Sequence, residues 1–360
     1  MIDLRNLTRS QVTEFVVGLN LPAARGDQLF ANLYRPGLHD ISQMTDINRD
    51  VRARLADHAV ISRLTPEVRE QSQDGTRKYG FRLHDGAWIE SVLIPEGDRH
   101  TLCISSQVGC PMGCTFCQTA TMGFIRNLRP AEIVNQVLGV LAEMVESGIQ
   151  RDTPRELINN LVFMGMGEPL ANYKNLVPAL QILMDEKGLE FTARRVTVST
   201  CGIAPMIREL GNDVKVNLAV SLHAADDATR SRLMPINKTY GVDALLDACR
   251  DYPLAKNRVI LVEYILLEGI NDSLAAAELL AEKLRDIPCR INLLPYNQSP
   301  SLPYQCPDEK DIKRFQEILR DAGYRTLVRN SRGADIAAAC GQLAGRLQAN
   351  EEQEGTSCSV

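Results

Sequence analysis

The sequence predicts an α/β protein with a mostly parallel sheet, preceded by a small helical domain. Short apolar, β-branched runs recur from about residue 100 onward, and stretches with helical periodicity separate them. Amphipathic segments fill the first sixty residues, which predicts the helical domain. No G-x-G-x-x-G follows any of the strands, so an open or closed barrel fits better than a dinucleotide-binding sheet.

The N-terminal domain is expected over residues 1–62. In LTRSQVTEFVVGLNL the apolar residues fall on one face, and either Thr8 or Ser10 is suited to cap the helix. AARGDQLFANLY and VRARLADHAV continue the helical pattern. TRKYGFRLHDGAWIESVLIPE then alternates apolar and polar residues around a DG turn, which predicts short antiparallel strands in a linker region over 63–98.

The α/β core is expected over residues 99–345, before a flexible tail over 346–360. One helix should begin at Pro130 and end at Gly148, and NDSLAAAELLAEKLRD should form another. The strands are predicted at LVFMG (161–165), RVTVST (195–200), VNLAVSLHA (216–224), RVILVEYILL (258–267) and RINLLPYN (290–297).

Composition indicates a globular protein: 44% of the 360 residues are hydrophobic and 24% are charged. No apolar run is long enough for a membrane span, and MIDLRNLTRSQ lacks the apolar centre of a signal peptide. We therefore expect a cytoplasmic protein with no membrane association, and a monomer by default. Because the net charge is −5, an RNA partner would need a local basic surface.

Ten cysteines are too sparse for a disulfide scaffold at this length. Four of them crowd fifteen residues, and Cys110, Cys114 and Cys117 follow a C-x₃-C-x₂-C spacing. A zinc site would need His100 or Cys103 as its missing ligand. A [4Fe–4S] cluster would keep one iron open for another molecule, as catalysis requires. The spacing favours the iron–sulfur cluster over zinc and over inert cysteines.

The C-x₃-C-x₂-C loop after the first core strand resembles the radical S-adenosylmethionine (SAM) superfamily. Nearly the whole chain resembles the RlmN/Cfr adenosine methyltransferases of that superfamily. The resemblance implies a partial (β/α)₆ barrel, similar to a TIM barrel, with an N-terminal domain that grips RNA. It rests on QVGCPMGCTFCQTATMGFIRNL, FMGMGEPLAN, VTVSTCGIAP, LAVSLHAADDATRSRLMPINK, VEYILLEGIND, NLLPYN and AACGQL, which occur in the family's order.

The resemblance implies one [4Fe–4S] cluster per chain, held by Cys110, Cys114 and Cys117, with SAM on the open iron. Two SAM molecules would be consumed per methylation. The first would convert Cys340 to S-methylcysteine, and the second would yield a 5′-deoxyadenosyl radical that activates this methyl group. Cys103 would then attack the Cys340 sulfur, releasing product and leaving a disulfide. An electron donor of the flavodoxin or ferredoxin type and a disulfide reductant are therefore implied.

The same matching suggests a SAM site and a proton acceptor. The Glu168 carboxylate would take the ammonium group of SAM, although a tight turn is the competing interpretation of GMGEP. Glu90 would accept the adenine proton, unless it is an ordinary exposed strand glutamate. The residues implied to contact SAM are Gly167, Glu168, Ser199, Ser221, Leu222, His223 and Asn297.

The implied substrates are an adenosine of 23S rRNA in the peptidyl-transferase centre and the adenosine 3′ to the anticodon in some tRNAs, methylated at C2. One alternative is the Cfr-type enzyme, which methylates C8 and confers antibiotic resistance. Another is a zinc-stabilised RNA-binding protein without catalysis. The resemblance of GFIRNL and of the helical N-terminus favours C2 methylation.

Basic residues near the predicted site are hypothesised to bind RNA phosphates. The competing interpretation is that they form solvated helix faces or ion pairs with acidic residues. They are Arg126, Arg129, Arg230, Arg232, Lys238, Arg325, Arg329 and Arg332.

Overall fold

A ten-stranded mixed sheet organises the protein, whose computed structural model describes residues 1–35, 37–148, 153–299 and 301–343. The tail predicted over 346–360 lies outside the described residues. Helices flank the sheet, and a small helical unit precedes it in the chain. The α/β fold predicted from the sequence is confirmed.

The N-terminal unit contains the predicted helices. Its helices are α1 (Arg9–Gly18), α2 (Ala24–Leu33) and α3 (Arg49–Ala56), and strand β1 (Ile2–Asp3) pairs in parallel with β2 (Ala59–Val60). Of the two candidate caps, Thr8 is the one used: it accepts from the Gln11 amide while the Gln11 side chain returns to Thr8. This capping box satisfies two backbone donors that the first turn leaves open.

Residues 63–98, predicted as a linker, extend the main sheet. Their strands are β3 (Val68–Gln71), β4 (Arg77–Arg82) and β5 (Trp88–Glu96), and β5 continues into β6 (Arg99–Cys103). Each of these four strands runs antiparallel to the next, and the turn between β4 and β5 lies at the predicted DG pair. The sheet therefore joins an antiparallel half to the parallel half described next.

The parallel half forms the open barrel. Its strands after β6 are β9 (Asn160–Phe163), β10 (Val196–Thr200), β11 (Asn217–Ser221), β12 (Ile260–Leu266), β13 (Cys289–Pro295) and β14 (Thr326–Val328), and a small separate hairpin consists of β7 (Gln107–Gly109) and β8 (Phe124–Asn127). β14 adds a seventh parallel strand to the six expected. In sheet order, β14 lies at one edge and β3 at the other.

Helices connect the parallel strands, as the alternating pattern predicts. They are α4 (Gln118–Thr121), α5 (Pro130–Glu146), α6 (Pro154–Leu157), α7 (Tyr173–Met184), α8 (Ala204–Asp213), α9 (Asp227–Leu233), α10 (Val242–Asp251), α11 (Leu274–Lys283) and α12 (Glu309–Asp321). Because parallel strands bring their carboxyl ends to one edge, the loops that follow them meet there. Within the described ranges, no helix combines the length and apolar character needed to cross a membrane.

Candidate active site

An open cavity of about 960 Å³, including the solvent at its mouth, lies at the carboxyl ends of the parallel strands. Nine of the predicted residues line it: Cys110, Cys114, Cys117, Gly167, Glu168, Ser199, Ser221, His223 and Cys340. Leu222 and Asn297 are not brought to its wall: the Leu222 side chain is fully buried in the main core, and Asn297 lies in the loop after β13.

The three-cysteine loop lies between the small hairpin and α4, and backbone contacts fix its shape. The Cys110 amide donates to the Gly123 carbonyl at 2.9 Å, and the Thr115 amide donates to the Leu233 carbonyl at 2.9 Å. Burial raises the pKa of Cys110 to about 12 and raises the pKa of Cys114 well above its usual value. Thiolates here therefore need a positive partner, which a metal centre supplies.

The three thiols are not arranged around a single ion in the part of the chain described, but they share one cavity. A single zinc, with bonds of about 2.3 Å, would bring its sulfur ligands within about 4 Å of one another. Within the ranges the structure describes, no three His, Cys, Asp or Glu side chains are arranged to hold one metal ion. The three thiols nevertheless line one cavity, as the corners of a larger cluster would require. His100, the predicted zinc ligand, is absent from the cavity's lining residues.

Glu168 is a buried carboxylate at the end of β9. Its two oxygens accept from the Leu170 amide at 3.0 Å and from the Cys201 amide at 2.7 Å. Burial raises its pKa, and among the described residues no lysine or arginine forms an ion pair with it. Each carboxylate oxygen can accept a second hydrogen bond. The geometry therefore suits an incoming ammonium group.

Gly167 directly precedes Glu168, and its backbone conformation directs the chain toward the Glu168 position. Its φ of +97° is in the region that favours glycine, and an added Cβ would come within 2.5 Å of the Gln107 Cβ. The glycine is therefore required for close packing against β7, in addition to its place in the cavity wall.

His223 follows β11 with a left-handed φ of +60°. Its Nδ1 accepts from the Ile265 amide at 3.0 Å, and its ring meets Phe116 edge-to-face at 4.9 Å. Burial, with help from Arg230, lowers its pKa to about 3. The imidazole is therefore neutral at pH 7 and carries its proton on Nε2, where it can act as a donor.

The prediction that Arg230 binds RNA is wrong, because its side chain is fully buried. The guanidinium donates to the carbonyls of Cys201 at 2.7 Å, Ser221 at 3.1 Å and Leu222 at 2.9 Å. It also donates to Asn237 Oδ1 at 2.8 Å. Arg230 therefore ties together the carboxyl ends of β10 and β11, where the cavity forms.

Arg126 is also unavailable as a simple phosphate contact. It is half-buried in ion pairs with Asp85 at 2.5 Å and Glu132 at 2.8 Å. The other predicted basic residues are exposed: Arg129, Arg232, Lys238, Arg325, Arg329 and Arg332.

One face of the antiparallel half carries a row of polar side chains. The register places Glu70 opposite Lys78, Lys78 opposite Val92, and Val92 opposite Cys103. Directly opposed residues share a face, so Lys78 and Cys103 lie in one row. Glu90 occupies the next row on that face, opposite Gly80.

Glu90 is therefore not an exposed strand residue, and that competing interpretation is wrong. Its side chain is 3% exposed, and its Oε1 lies 3.9 Å from the Lys78 ammonium. The Ser105 hydroxyl donates to the Glu90 carbonyl at 2.6 Å. Glu90 is held in the sheet beside Cys103 and is not among the residues that line the cavity.

Cys340 lies on an irregular segment, Gly333–Gly341, which we call the Cys340 segment. Cys340 is exposed at the cavity mouth, but desolvation by the surrounding wall raises its pKa to about 11, and Glu263 adds to the effect. Burial raises the pKa of Cys103 further, with a contribution from Cys340. The contribution of Cys340 to the pKa of Cys103 indicates that the two predicted catalytic thiols lie near each other.

Two parts of the chain match known protein families. Residues 104–280 match the Radical SAM superfamily model, and residues 2–61 match the model of the ribosomal RNA large subunit methyltransferase N-terminal domain. A relative from Desulfotalea psychrophila, named dual-specificity RNA methyltransferase RlmN, is 54% identical over 95% of each chain. A relative of the same name from Geobacter sulfurreducens is 50% identical over 97% of this chain and 94% of its own.

The chain belongs to the RlmN family. A crystal structure of a radical SAM methyltransferase from Sphaerobacter thermophilus matches at a TM-score of 0.86 and 42% identity, over 95% of this chain and 99% of that one. The relatives carry the RlmN name, so the Cfr-type alternative is not favoured. Membership of the RlmN family contradicts a zinc-stabilised binding protein without catalysis.

Sequence reasoning did not single out Glu263, which lines the cavity of this RlmN family member. It is buried on β12, accepts from Asn292 Nδ2 at 2.8 Å, and acts electrostatically on Cys340. Burial raises its pKa. The signal was present: a single charged residue interrupts the apolar strand ILVEYIL, and buried charges are rare unless they are paired or functional.

Proposed function

We propose that the protein methylates C2 of adenosine in 23S rRNA and in tRNA. One observation carries the proposal: Cys340 lines the same cavity as the three cluster cysteines while acting electrostatically on the buried Cys103. This arrangement supports a methyl carrier and its resolving thiol close to a cluster site. The dual-specificity RNA methyltransferase name of the relatives supports both classes of RNA substrate.

We assign one [4Fe–4S] cluster to Cys110, Cys114 and Cys117, and two SAM molecules to each turnover. When bound, the cluster and SAM supply the one-electron chemistry that a ring carbon of adenine requires. Glu168 takes the SAM ammonium, because it is a buried carboxylate in the cavity wall. Gly167, Ser199, Ser221 and His223 line the wall around it.

Cys340 carries the methyl group as a thioether, and its thiolate is the nucleophile that acquires it. After the methylene carbon has bonded to adenine, the Cys103 thiolate attacks the Cys340 sulfur. The sulfur–carbon bond breaks with its electron pair left on the carbon, which takes up a proton to become the methyl group on adenine, and a Cys103–Cys340 disulfide forms. An external reductant then returns both thiols.

Glu90 accepts the proton that the adenine ring carbon loses. Its support is its place on the sheet face next to Cys103, within 3.9 Å of a buried ammonium. A carboxylate held in this way is positioned without mobile solvent.

RNA docking is assigned to the exposed residues Arg129, Arg232, Lys238, Arg325, Arg329 and Arg332, and to the N-terminal unit over residues 1–62. Three of these arginines lie on the chain leading to Cys340, so bound phosphates would come close to the cavity. We further propose a flavodoxin or ferredoxin as electron donor, a monomeric state and a cytoplasmic location.

The deciding experiment is mass spectrometry of nucleosides from RNA treated anaerobically with reconstituted enzyme, SAM and reductant. 2-Methyladenosine is the expected product, and 8-methyladenosine would overturn the C2 assignment. Cys340→Ala should abolish the product, whereas Cys103→Ala should accumulate a covalent protein–RNA adduct. Cys249→Ala is the matched control, because Cys249 is a buried thiol on α10 that does not line the cavity. A fully active Cys340→Ala enzyme would refute the methyl-carrier role.

A further inference from the structure

The Cys340 segment does not stand alone above the cavity, because the turn between β3 and β4 holds it from one side. Asp335 accepts from the Ser72 hydroxyl at 2.5 Å and from the Gln73 amide at 3.2 Å. The Gly333 amide donates to Asp74 Oδ2 at 3.1 Å. These contacts join positions about 260 residues apart, and they fix the start of the segment to the antiparallel half of the sheet.

Lys78 makes the deepest of these contacts. Its side chain is 4% exposed, and its ammonium lies 2.5 Å from Glu70 Oε2 and 3.9 Å from Glu90 Oε1. It also donates to the Ile336 carbonyl at 2.7 Å. Ile336 is four residues before Cys340 in the chain, so one buried cation contacts both the proposed proton acceptor and the segment that carries the methyl group.

The sheet register explains why this position holds a lysine. Glu70, Lys78 and Cys103 share one row of the face, and Glu90 lies in the adjacent row opposite Gly80. Gly80 has no side chain, which leaves room for the lysine stem and the Glu90 carboxylate to approach each other. The ammonium donates to the Ile336 carbonyl and forms ion pairs with Glu70 and Glu90, so two carboxylates balance its charge.

We infer that Lys78 is a positioning residue, which holds both Cys340 and Glu90 in the right place relative to Cys103. The inference rests on the proposed function, because it assumes that these three residues act together. Without the ammonium, the Ile336 carbonyl loses its donor and the two carboxylates lose their shared partner. The segment would then hold Cys340 over Cys103 for a smaller fraction of the time.

The first test reads the position of Cys340 without SAM or RNA. Anaerobic holoenzyme is mixed with oxidised glutathione, quenched with an alkylating agent, and assayed by mass spectrometry for the Cys103–Cys340 linked peptide. Two cysteine thiols lose two protons and two electrons to form the disulfide, and glutathione disulfide becomes two glutathione thiols. The rate depends on how often the two sulfurs reach disulfide geometry.

Lys78→Met should slow disulfide formation by about tenfold or more, because small misplacements of reacting groups carry large rate costs. Lys78→Arg should retain most of the rate, since it keeps a buried cation. Arg77→Met is the matched control: Arg77 is the adjacent residue on β4, points to the opposite face and pairs with Glu143. A Lys78→Met protein that forms the disulfide as fast as wild type would overturn the inference.

Asp335→Ala covers the case in which Lys78→Met fails to fold. Asp335 is exposed, so its removal loosens the segment without leaving a buried charge. It should also slow disulfide formation, and an unchanged rate would count against positioning by this turn. In the methylation assay, Lys78→Met should lower kcat with little change in KM for RNA, because Lys78 is buried away from solvent.

A failure of the proposed function can be distinguished from a failure of the Lys78 positioning role. If wild-type enzyme makes no methyladenosine, the proposed function fails whatever the disulfide rates are. If wild-type enzyme is active and Lys78→Met matches it in both assays, only the positioning role fails.

Discussion

Arg230 offers the most direct test of how the cavity is held open. Its guanidinium is fully buried and bonds three strand-end carbonyls and the Asn237 side chain. Arg230→Met keeps a side chain of similar length and removes every donor. The carbonyls of Cys201, Ser221 and Leu222 would then each lose a buried hydrogen bond.

The expected loss in the free energy of unfolding follows from the four acceptors that Arg230 bonds. A hydrogen bond to a charged group contributes about 1.5–3 kcal/mol, and a buried acceptor left unpaired costs about 1–3 kcal/mol. Neighbouring losses are not additive, because the strand ends relax together. Removing the cost of burying the cation offsets part of the loss. We therefore expect Arg230→Met to lower the free energy of unfolding by about 4 kcal/mol, within the range for disrupting a buried charged network.

Urea denaturation followed by circular dichroism measures this change. Arg232→Met is the matched control, because Arg232 is exposed two residues further along α9 and should change stability by less than about 0.5 kcal/mol. The Arg230→Met protein should also bind SAM more weakly, since Ser221 and His223 lie at the strand ends it holds. A loss below about 1 kcal/mol, or equal losses in both variants, would refute the reasoning.

Two further predictions concern the turns around the site. Gly167→Ala should destabilise the protein by about 2 kcal/mol more than Gly269→Ala. Both glycines have a positive φ, but only at Gly167 would the added Cβ also clash with Gln107. Equal urea midpoints for the two variants would contradict this. Burial alone would raise the pKa of Asp74, but hydrogen bonds from Thr76 and Gly333 outweigh it and lower the pKa to about 2. The wild-type advantage over Asp74→Asn should therefore hold above pH 4. It should shrink by about 1 kcal/mol, after discounting for solvent screening, as the pH falls toward 2; a pH-independent difference would be the contrary result.

The parallel strands and the cluster loop could be predicted because their signals are local. Apolar, β-branched runs identify the strands within about two residues, and the three cysteines lie within eight positions. The roles of Arg230 and Arg232 could not be separated in this way, since arginine is usually exposed. Only the packing of α9, which buries Arg230 together with Leu233, distinguishes them.

Glu90 shows a second limit of sequence reasoning. Alternation in WIESVLIPE suggests one buried and one solvated face. The strand is instead buried on both faces from Trp88 to Leu93. The Cys340 segment approaches that face through Lys78 and Ile336, residues 258 positions apart. No local pattern encodes a contact at that separation.

The Cys340 segment is tethered at both ends, and this limits its reach. Asp74 holds the Gly333 amide at one end, and the Gln118 amide donates to the Gly341 carbonyl at 2.7 Å at the other. Three left-handed residues, Gly333, Ala337 and Gly341, fold the intervening chain tightly. Because both of its ends are held, the Cys340 segment cannot carry a methyl group out to a distant RNA helix. Under the proposed function the adenine must travel to the enzyme, so the RNA has to unstack its base and present it within the cavity.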